Sequence, residues 1–280
     1  MEVGKINPWL ETIGVILVAL MGVLLGMLFW RFRKPYWSCG YLVPFILIAM
    51  LVLATFNNAL LFVPPFSWVT AGRTRFIILA FAATMGLTTP LSRLPRKCEK
   101  LTIGVLMAIV VGWFSVMPFL MPALIKDNLS NLKTTVNPNG ICYQSTDYTC
   151  GPAAAVTALG RLGFSANEGE LAILSYSSPI AGTLPTCLSS ALQELYGTEG
   201  LKCQYRYFDS ITQLRNAGIT LAVVRDGLMN SHCVAVLGVS DYIVTIADPV
   251  WGRMLMTHED FKKVWRFSGI VLKRDSTQNI

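Results

Sequence analysis

The 280-residue chain contains only two histidines, so a cysteine nucleophile would have few bases to choose from. Of the seven cysteines, Cys150 stands apart because it opens Cys150-Gly151-Pro152, followed by AAAVTALGRLG. Ala-rich sequence after Gly-Pro predicts a helix starting close to Cys150 and ended by Gly160 and Gly163. A thiol at a helix N-terminus faces unpaired backbone N–H groups and the positive end of the dipole, and both favour thiolate. Such a nucleophile needs a base, usually histidine. His258 sits in polar sequence, THEDFKK, and reads as a solvated helix start. His232 opens an apolar strand, HCVAVLGVS, where an unpaired imidazole would be costly.

A third member follows from hairpin geometry. Strands at 232–239 and 241–248 meet at a tight turn near Ser240. A hairpin centred there sets His232 directly opposite Asp248, with Cβ atoms about 4.5–5.5 Å apart. A carboxylate so placed holds the imidazole tautomer and stabilises imidazolium. Gln144 completes the set, since its amide can donate to a developing oxyanion together with the backbone N–H of Cys150. Each residue alone has a plainer reading. A single cysteine is usually a small buried hydrophobe or half of a disulfide, and a strand histidine is usually structural. Asp before Pro commonly starts a turn, and Gln144 by itself is an ordinary loop residue. The hairpin register and the helix-start cysteine are what raise the four as a set.

The elements that must carry these residues form an α+β domain at 141–280. Polar, turn-rich sequence at 126–140 reads as a linker. Helices are expected from Cys150 and at about 167–176 and 184–196. The pattern then becomes β at 201–208, 219–226, 232–240 and 241–248. Helices first and strands afterwards give an antiparallel sheet.

Gln144-x5-Cys150-Gly-Pro-Ala-Ala, then His232, then Asp248-Pro249 sixteen residues later, resembles the bacteriocin-processing cysteine peptidases. These papain-like domains cut secretion leaders after a double glycine. The resemblance covers about 140–275 and none of the preceding half. It implies Cys150 as nucleophile, His232 as base, Asp248 as its orienter and Gln144 as oxyanion donor. It implies a peptide or protein substrate and, as a partner, a separate transporter. Three departures are visible. The Asp-Cys-Gly-Pro form common in the family is here Thr149-Cys150-Gly151-Pro152. No Walker A pattern, GxxxxGK[ST], occurs in the chain, so no ATPase is encoded. The domain follows apolar spans instead of preceding a transporter.

Composition explains the other half. Hydrophobic residues make up 53% and charged residues 14%, which excludes a disordered chain, a coiled coil and an ordinary cytosolic enzyme. Residues 1–125 carry ten Lys/Arg and three Asp/Glu, whereas 126–280 carry thirteen of each. The basic excess lies in the apolar half, which argues against nucleic-acid binding. Four spans are expected, at about 10–30, 41–63, 75–91 and 101–125, forming a membrane domain over 1–125 in the lipid bilayer. The third is the shortest. Arg31, Arg33 and Lys34 follow the first span, and Arg93, Arg96, Lys97 and Lys100 lie between the third and fourth. The positive-inside tendency makes their side the cytoplasm. Lys5, Arg73 and Arg75 then lie outside, as does the C-terminal domain. No ionisable residue sits mid-span, and Glu11 is at a span edge. Asn57 and Asn58 read as interhelical hydrogen bonders, and Gly22 and Gly26 as a GxxxG packing pattern.

An external domain would permit disulfides among Cys142, Cys187, Cys203 and Cys233. Cys187 with Cys203 is slightly favoured over the other pairings, against the alternative of four buried thiols. The sequence thus points to a membrane-anchored cysteine endopeptidase needing no cofactor and no metal, acting on a peptide or leader segment at the outer face. The alternatives are a catalytically silent peptidase-like domain that binds a leader or partner for a secretion system, and an amidase or transferase sharing the acyl-enzyme step.

Overall fold

A computed structural model describes residues 8–33, 36–91, 93–227 and 231–275. Lys5 and Lys34, counted above among the loop charges, lie outside the described residues. The chain divides into two compact units, 1–124 and 125–280.

In the first unit, α1 (Pro8–Trp30), α2 (Cys39–Phe56), α3 (Phe66–Thr70), α4 (Thr74–Leu91), α5 (Lys97–Val111) and α6 (Met117–Leu124) follow in order. Among the described residues, four helical stretches are long and apolar enough to cross a membrane: Pro8–Phe29, Tyr36–Phe56, Thr74–Leu91 and Lys97–Leu124. α2 ends at Phe56, short of Val63 where the apolar run ends, because Asn57 turns the chain. Its Oδ1 accepts the N–H of Ala59 at 3.1 Å and opens a short 3₁₀ turn. Asn57 therefore caps a turn, and is not the interhelical bonder expected. Between α5 and α6 the helix widens into a π turn, Gly112–Val116. Pro118 has no N–H to continue the ladder, a common reason for such widening.

The GxxxG pattern proves structural. A Cβ on Gly22 would overlap the Thr84 hydroxyl and the Phe81 carbonyl, and one on Gly26 would come within 2.8 Å of Thr88 Cβ. Val15 and Ala19 pack with Ala80 and Ala83 further along the same seam. Glu11 and Arg73 form an ion pair at its start, with the guanidinium 4.5 Å over the Phe119 ring. Rising numbers on α1 meet rising numbers on α4, so the two run parallel. Gly40 against Thr89 and Gly86 against Pro44 make α2 antiparallel to α4.

The second unit begins with α7 (Lys126–Ser130), β1 (Thr135–Val136) and β2 (Cys142–Tyr143). Three helices follow: α8 (Cys150–Arg161), α9 (Glu168–Leu174) and α10 (Pro185–Tyr196). The remaining order is β3 (Leu201–Tyr207), α11 (Ile211–Ala217), β4 (Thr220–Arg225), β5 (Ser231–Val239), β6 (Ile243–Asp248), β7 (Gly252–Thr257), α12 (His258–Val264) and β8 (Trp265–Arg274). The sheet order is β3-β8-β4-β5-β6-β7, with every pair antiparallel. Residues of alternate parity feed two cores. Leu221, Ala235, Ala247 and Ile270 pack on the side of α8 with Ala154, Ala155 and Leu159. Ala222, Val234, Val236 and Ile246 face Phe208, Leu214, Phe261 and Trp265 on the other side. The helix–strand segregation expected from the sequence is therefore incomplete, since α11 and α12 cover the second face.

Candidate active site

Cys150 is the first residue of α8. Ala153, Ala154, Ala155 and Ala158 are fully buried, and their small side chains let α8 lie close on the sheet. The far end closes as a Schellman cap: Phe164 N–H donates to the Leu159 carbonyl at 3.0 Å while Gly163 takes φ +79°. At the near end Thr149 gives no side-chain cap. Its hydroxyl is engaged instead by Thr146, whose N–H donates to it at 3.2 Å. The first-turn N–H groups of α8 thus lack a capping side chain, and an oxyanion is a natural acceptor for them.

β5 starts and β6 ends at one end of the sheet, and the two carry His232 and Asp248 together. His232 Nε2 lies 3.1 Å from Asp248 Oδ1. The register differs from the hairpin expected. Ala235 pairs with Ala247 and Val236 with Ile246, a displacement of two residues. The connection Ser240–Tyr242 is longer than a tight turn, its Ser240 hydroxyl accepting the Ile243 N–H at 3.0 Å, and the ladder is irregular between Val236 and Gly238. Asp248 is therefore diagonal to His232 and not directly opposite. An even displacement preserves side-chain parity, so the two residues still meet.

Asp248 is 6% exposed and its Oδ1 also accepts the N–H of Val250 at 2.7 Å and of Trp251 at 3.3 Å. Asp248 thus starts a turn and also meets the imidazole. Burial alone would raise this carboxyl, but hydrogen bonds from His232, Val250 and Trp251 and the imidazole's charge hold it below its ordinary range. A carboxylate only accepts, so Nε2 carries a proton and Nδ1 is left to exchange one with Cys150. Burial likewise opposes charge on His232. Hydrogen bonds to Asp248 and Cys150, with the charges of those groups, outweigh it and raise the imidazole to about 10.

Gln144 follows β2, and its N–H donates to the Pro249 carbonyl at 3.0 Å. That bond ties the glutamine segment to the residue after Asp248. Its side-chain Oε1 is buried with no hydrogen-bond partner among the described residues. The structure therefore brings all four expected residues into one region from four separate segments. His258 is elsewhere, its Nε2 3.0 Å from the Ser240 carbonyl on the exposed start of α12.

Three other thiols of this unit are held toward the protonated form by their surroundings. Burial, with Glu168 nearby, pushes Cys142 up to about 12, and burial pushes Cys203 up to about 12. Burial also raises Cys233 well above the usual thiol range, and the charges of Cys150 and Asp248 add to it. The cysteines stand as thiols, so the favoured pairing of Cys187 with Cys203 does not form. Cys203 instead packs, partly buried, against the core, its N–H donating to Gln193 Oε1 of α10 at 3.1 Å. Among the described residues no group of three or more His, Cys, Asp or Glu is placed to hold a metal ion. Sequence reasoning passed over Glu168, a buried acid bonded to Ser145, the residue after Gln144. It reads as an ordinary first-turn acid of α9, and its partner Ser145 is 23 residues away.

The sequence pattern of the Peptidase C39 family matches residues 139–279, half of the chain. The chain belongs to the Peptidase C39 family. An uncharacterized protein of Methanothermobacter marburgensis is 31% identical over 145 residues, covering 52% of this chain and 96% of that protein. An uncharacterized protein of Methanothermobacter thermautotrophicus is 27% identical over 143 residues, covering 51% and 94%. Two solved structures are similar. The peptidase domain of Streptococcus ComA, a bi-functional ABC transporter involved in a quorum sensing pathway, aligns at TM-score 0.42 and 22% identity, covering 48% of this chain and 96% of that one. A double glycine motif protease from an AMS/PCAT transporter, in complex with the leader peptide, aligns at TM-score 0.40 and 16% identity, covering 51% and 93%. The family match falls wholly in the second unit, and its fold is a C39 peptidase domain with an antiparallel sheet.

Proposed function

We propose that this C39 domain is a catalytically active cysteine endopeptidase, anchored in the membrane by the first unit and cutting a peptide or leader segment at the outer face. The observation that carries the reading is the chain Cys150–His232–Asp248, with the imidazole held 3.1 Å from a buried carboxylate. In this reading the Cys150 thiolate attacks the scissile carbonyl. The Gln144 amide and the Cys150 backbone N–H receive the oxyanion. His232 then gives its proton to the leaving amine and afterwards activates the water that frees the acyl-enzyme. Family membership supports small residues before the scissile bond.

Anchoring is supported by the outer surface of the helical unit. Leu10, Leu17, Leu24, Leu42, Phe45 and Phe56 are each more than half exposed, an apolar surface that water would disfavour and lipid would accept. The parallel run of α1 and α4, with α2 reversed between them, is the sense that a third span requires.

The test is labelling of the purified full chain with a thiol-reactive peptide electrophile, native against Cys150→Ala. Stoichiometric labelling lost in the variant, with turnover of a peptidyl-Gly-Gly-aminomethylcoumarin, is the expected result. Labelling without any turnover would favour a silent, leader-binding domain. Transfer of the acyl group to an amine in preference to water would favour a transferase.

A further inference from the structure

The oxyanion donor assigned to Gln144 is not held by its own side chain. Its Oε1 has no hydrogen-bond partner among the described residues. With no hydrogen bond on Oε1, the placement of the amide depends on the backbone that carries it as well as on packing. On one side that backbone is fixed by Gln144 N–H to Pro249. On the other it is fixed by Glu168, which is fully buried. Oε1 of Glu168 accepts the Ser145 N–H at 2.8 Å, and Oε2 accepts the Ser145 hydroxyl at 2.7 Å. Glu168 is itself pinned. Its N–H donates to Thr134 Oγ1 at 2.9 Å, and α9 is capped by Asn167, whose Oδ1 accepts the Glu170 N–H at 3.0 Å. A carboxyl at the first turn of a helix is also favoured by the dipole.

We propose that Glu168 is a positioning residue for Gln144. Resting on the peptidase reading, this assigns the buried acid the task of setting where the oxyanion-binding amide sits. Two bonds to consecutive groups of one residue, N–H and hydroxyl, fix the orientation of Ser145 as well as its location. A generic staple would need only one. Ser145 shares a peptide bond with Gln144, so a rotation at one displaces the side chain of the other. The amide must meet an oxygen that exists only as the tetrahedral intermediate forms, and catalysis is sensitive to such placement.

The experiment uses the full chain in detergent. Release of aminomethylcoumarin from the peptidyl-Gly-Gly substrate measures acyl transfer. Alkylation of Cys150 by iodoacetamide measures the thiolate alone, because that displacement forms no oxyanion. Glu168→Gln keeps the shape but replaces one acceptor oxygen by a donor. Removing an oxyanion donor costs about 10²–10³ in kcat. The positioning loss should be a share of that, on the order of tenfold in kcat with KM nearly unchanged. Alkylation should keep its native rate. In the Gln144→Ala background, Glu168→Gln should cost nothing further. Ser145→Ala, which removes the hydroxyl's bond to Glu168 and its longer contact with the Lys133 carbonyl at 3.3 Å but keeps the N–H bond, should show the same pattern at smaller size even if Glu168→Gln fails to fold. Parallel loss of alkylation, or losses that multiply in the double variant, would overturn the assignment. A native chain that is alkylated at Cys150 yet releases no aminomethylcoumarin would instead bring down the peptidase reading, and this inference with it.

Discussion

Asp248 Oδ1 accepts from His232 Nε2 at 3.1 Å and from the Val250 N–H at 2.7 Å, so one oxygen both closes a turn and orients the imidazole. Asp248→Asn should keep the turn, because the amide oxygen can still accept from Val250. It should lose the anion. Turnover of the Gly-Gly substrate is expected to fall about 10²-fold or more, as for other triads deprived of their carboxylate. His232→Ala should be at least as severe, whereas His258→Ala should leave activity near native. Native activity in His232→Ala, or its loss in His258→Ala, would show that the base has been misassigned.

The same pair predicts a titration. The His232 pKa is raised from 6.5 to about 10. In Asp248→Asn two of the raising influences, the carboxylate's hydrogen bond and its charge, disappear while burial remains. The midpoint followed by NMR of the imidazole should therefore drop. An unshifted midpoint in the variant would mean that Cys150 alone sustains the imidazolium.

Stability should follow the pH with a definite sign. A raised folded-state pKa stabilises the fold fully below the unfolded value of 6.5 and loses that contribution as pH rises through about 10. Asp248, whose carboxyl is lowered, contributes above its ordinary value of 3.8 and loses that contribution as pH falls through the folded value. The difference in melting temperature between the native chain and His232→Gln should thus shrink steadily from pH 6.5 toward pH 10. A difference that grows over this interval would contradict the assignment of charge.

Thiol reactivity separates Cys150 from its neighbours. Cys142 and Cys203 are pushed up to about 12, and Cys233 stands well above the thiol range. Iodoacetamide at neutral pH should label Cys150 before any of these three, with mass spectrometry reading the order. Equal rates at Cys150 and Cys233 would remove the case for an activated nucleophile.

Local chemistry was legible in the sequence, and long-range placement only in part. Cys150-Gly-Pro and Gly163 announced both ends of α8, because caps depend on a few adjacent residues. The meeting of His232 with Asp248 was legible for a weaker reason. The turn at Ser240–Tyr242 and the irregularity at Leu237 moved the register by two, and only the even size of that displacement saved the pairing. Strands β7 and β8 were not foreseen, since GRMLMT and WRFSGIVLKR do not alternate cleanly. α11, at seven residues, is too short for a helical period to declare itself, whereas the polar run THEDFKK did mark the start of α12 at His258. Glu168 gave no signal, because what distinguishes it is burial against Ser145 and not its place in the chain.

The α1–α4 seam offers a test of the helical unit by itself. A side chain at Gly22 would collide with the Thr84 hydroxyl and the Phe81 carbonyl, and the latter is backbone that cannot rotate away. Gly22→Leu should therefore separate the helices. Overpacking of this kind costs about 1–3 kcal/mol, read as a lowered melting temperature in detergent. Gly14→Leu is the control, since nothing lies within 4 Å of a Cβ there. Equal behaviour of the two variants would show that the close approach is not needed.

Membrane orientation gives the last prediction. Seven basic residues fall in the two loops assigned inside: Arg31, Arg33, Lys34, Arg93, Arg96, Lys97 and Lys100. Lys5, Arg73 and Arg75 fall in the segments assigned outside. Seven basic residues against three is the asymmetry that sets the expected orientation. The domain after residue 125 carries equal numbers of acids and bases and does not oppose translocation, which long domains undergo largely regardless of charge. Cys39 and Cys98 are exposed at the starts of α2 and α5, on the side assigned to the cytoplasm. A membrane-impermeant maleimide applied to intact cells should therefore reach Cys150 in the outer domain and spare Cys39 and Cys98 until the membrane is opened. Protease added to the same cells should remove the C-terminal unit. The reverse labelling pattern, with Cys39 and Cys98 modified first and the domain protected, would place the peptidase in the cytoplasm.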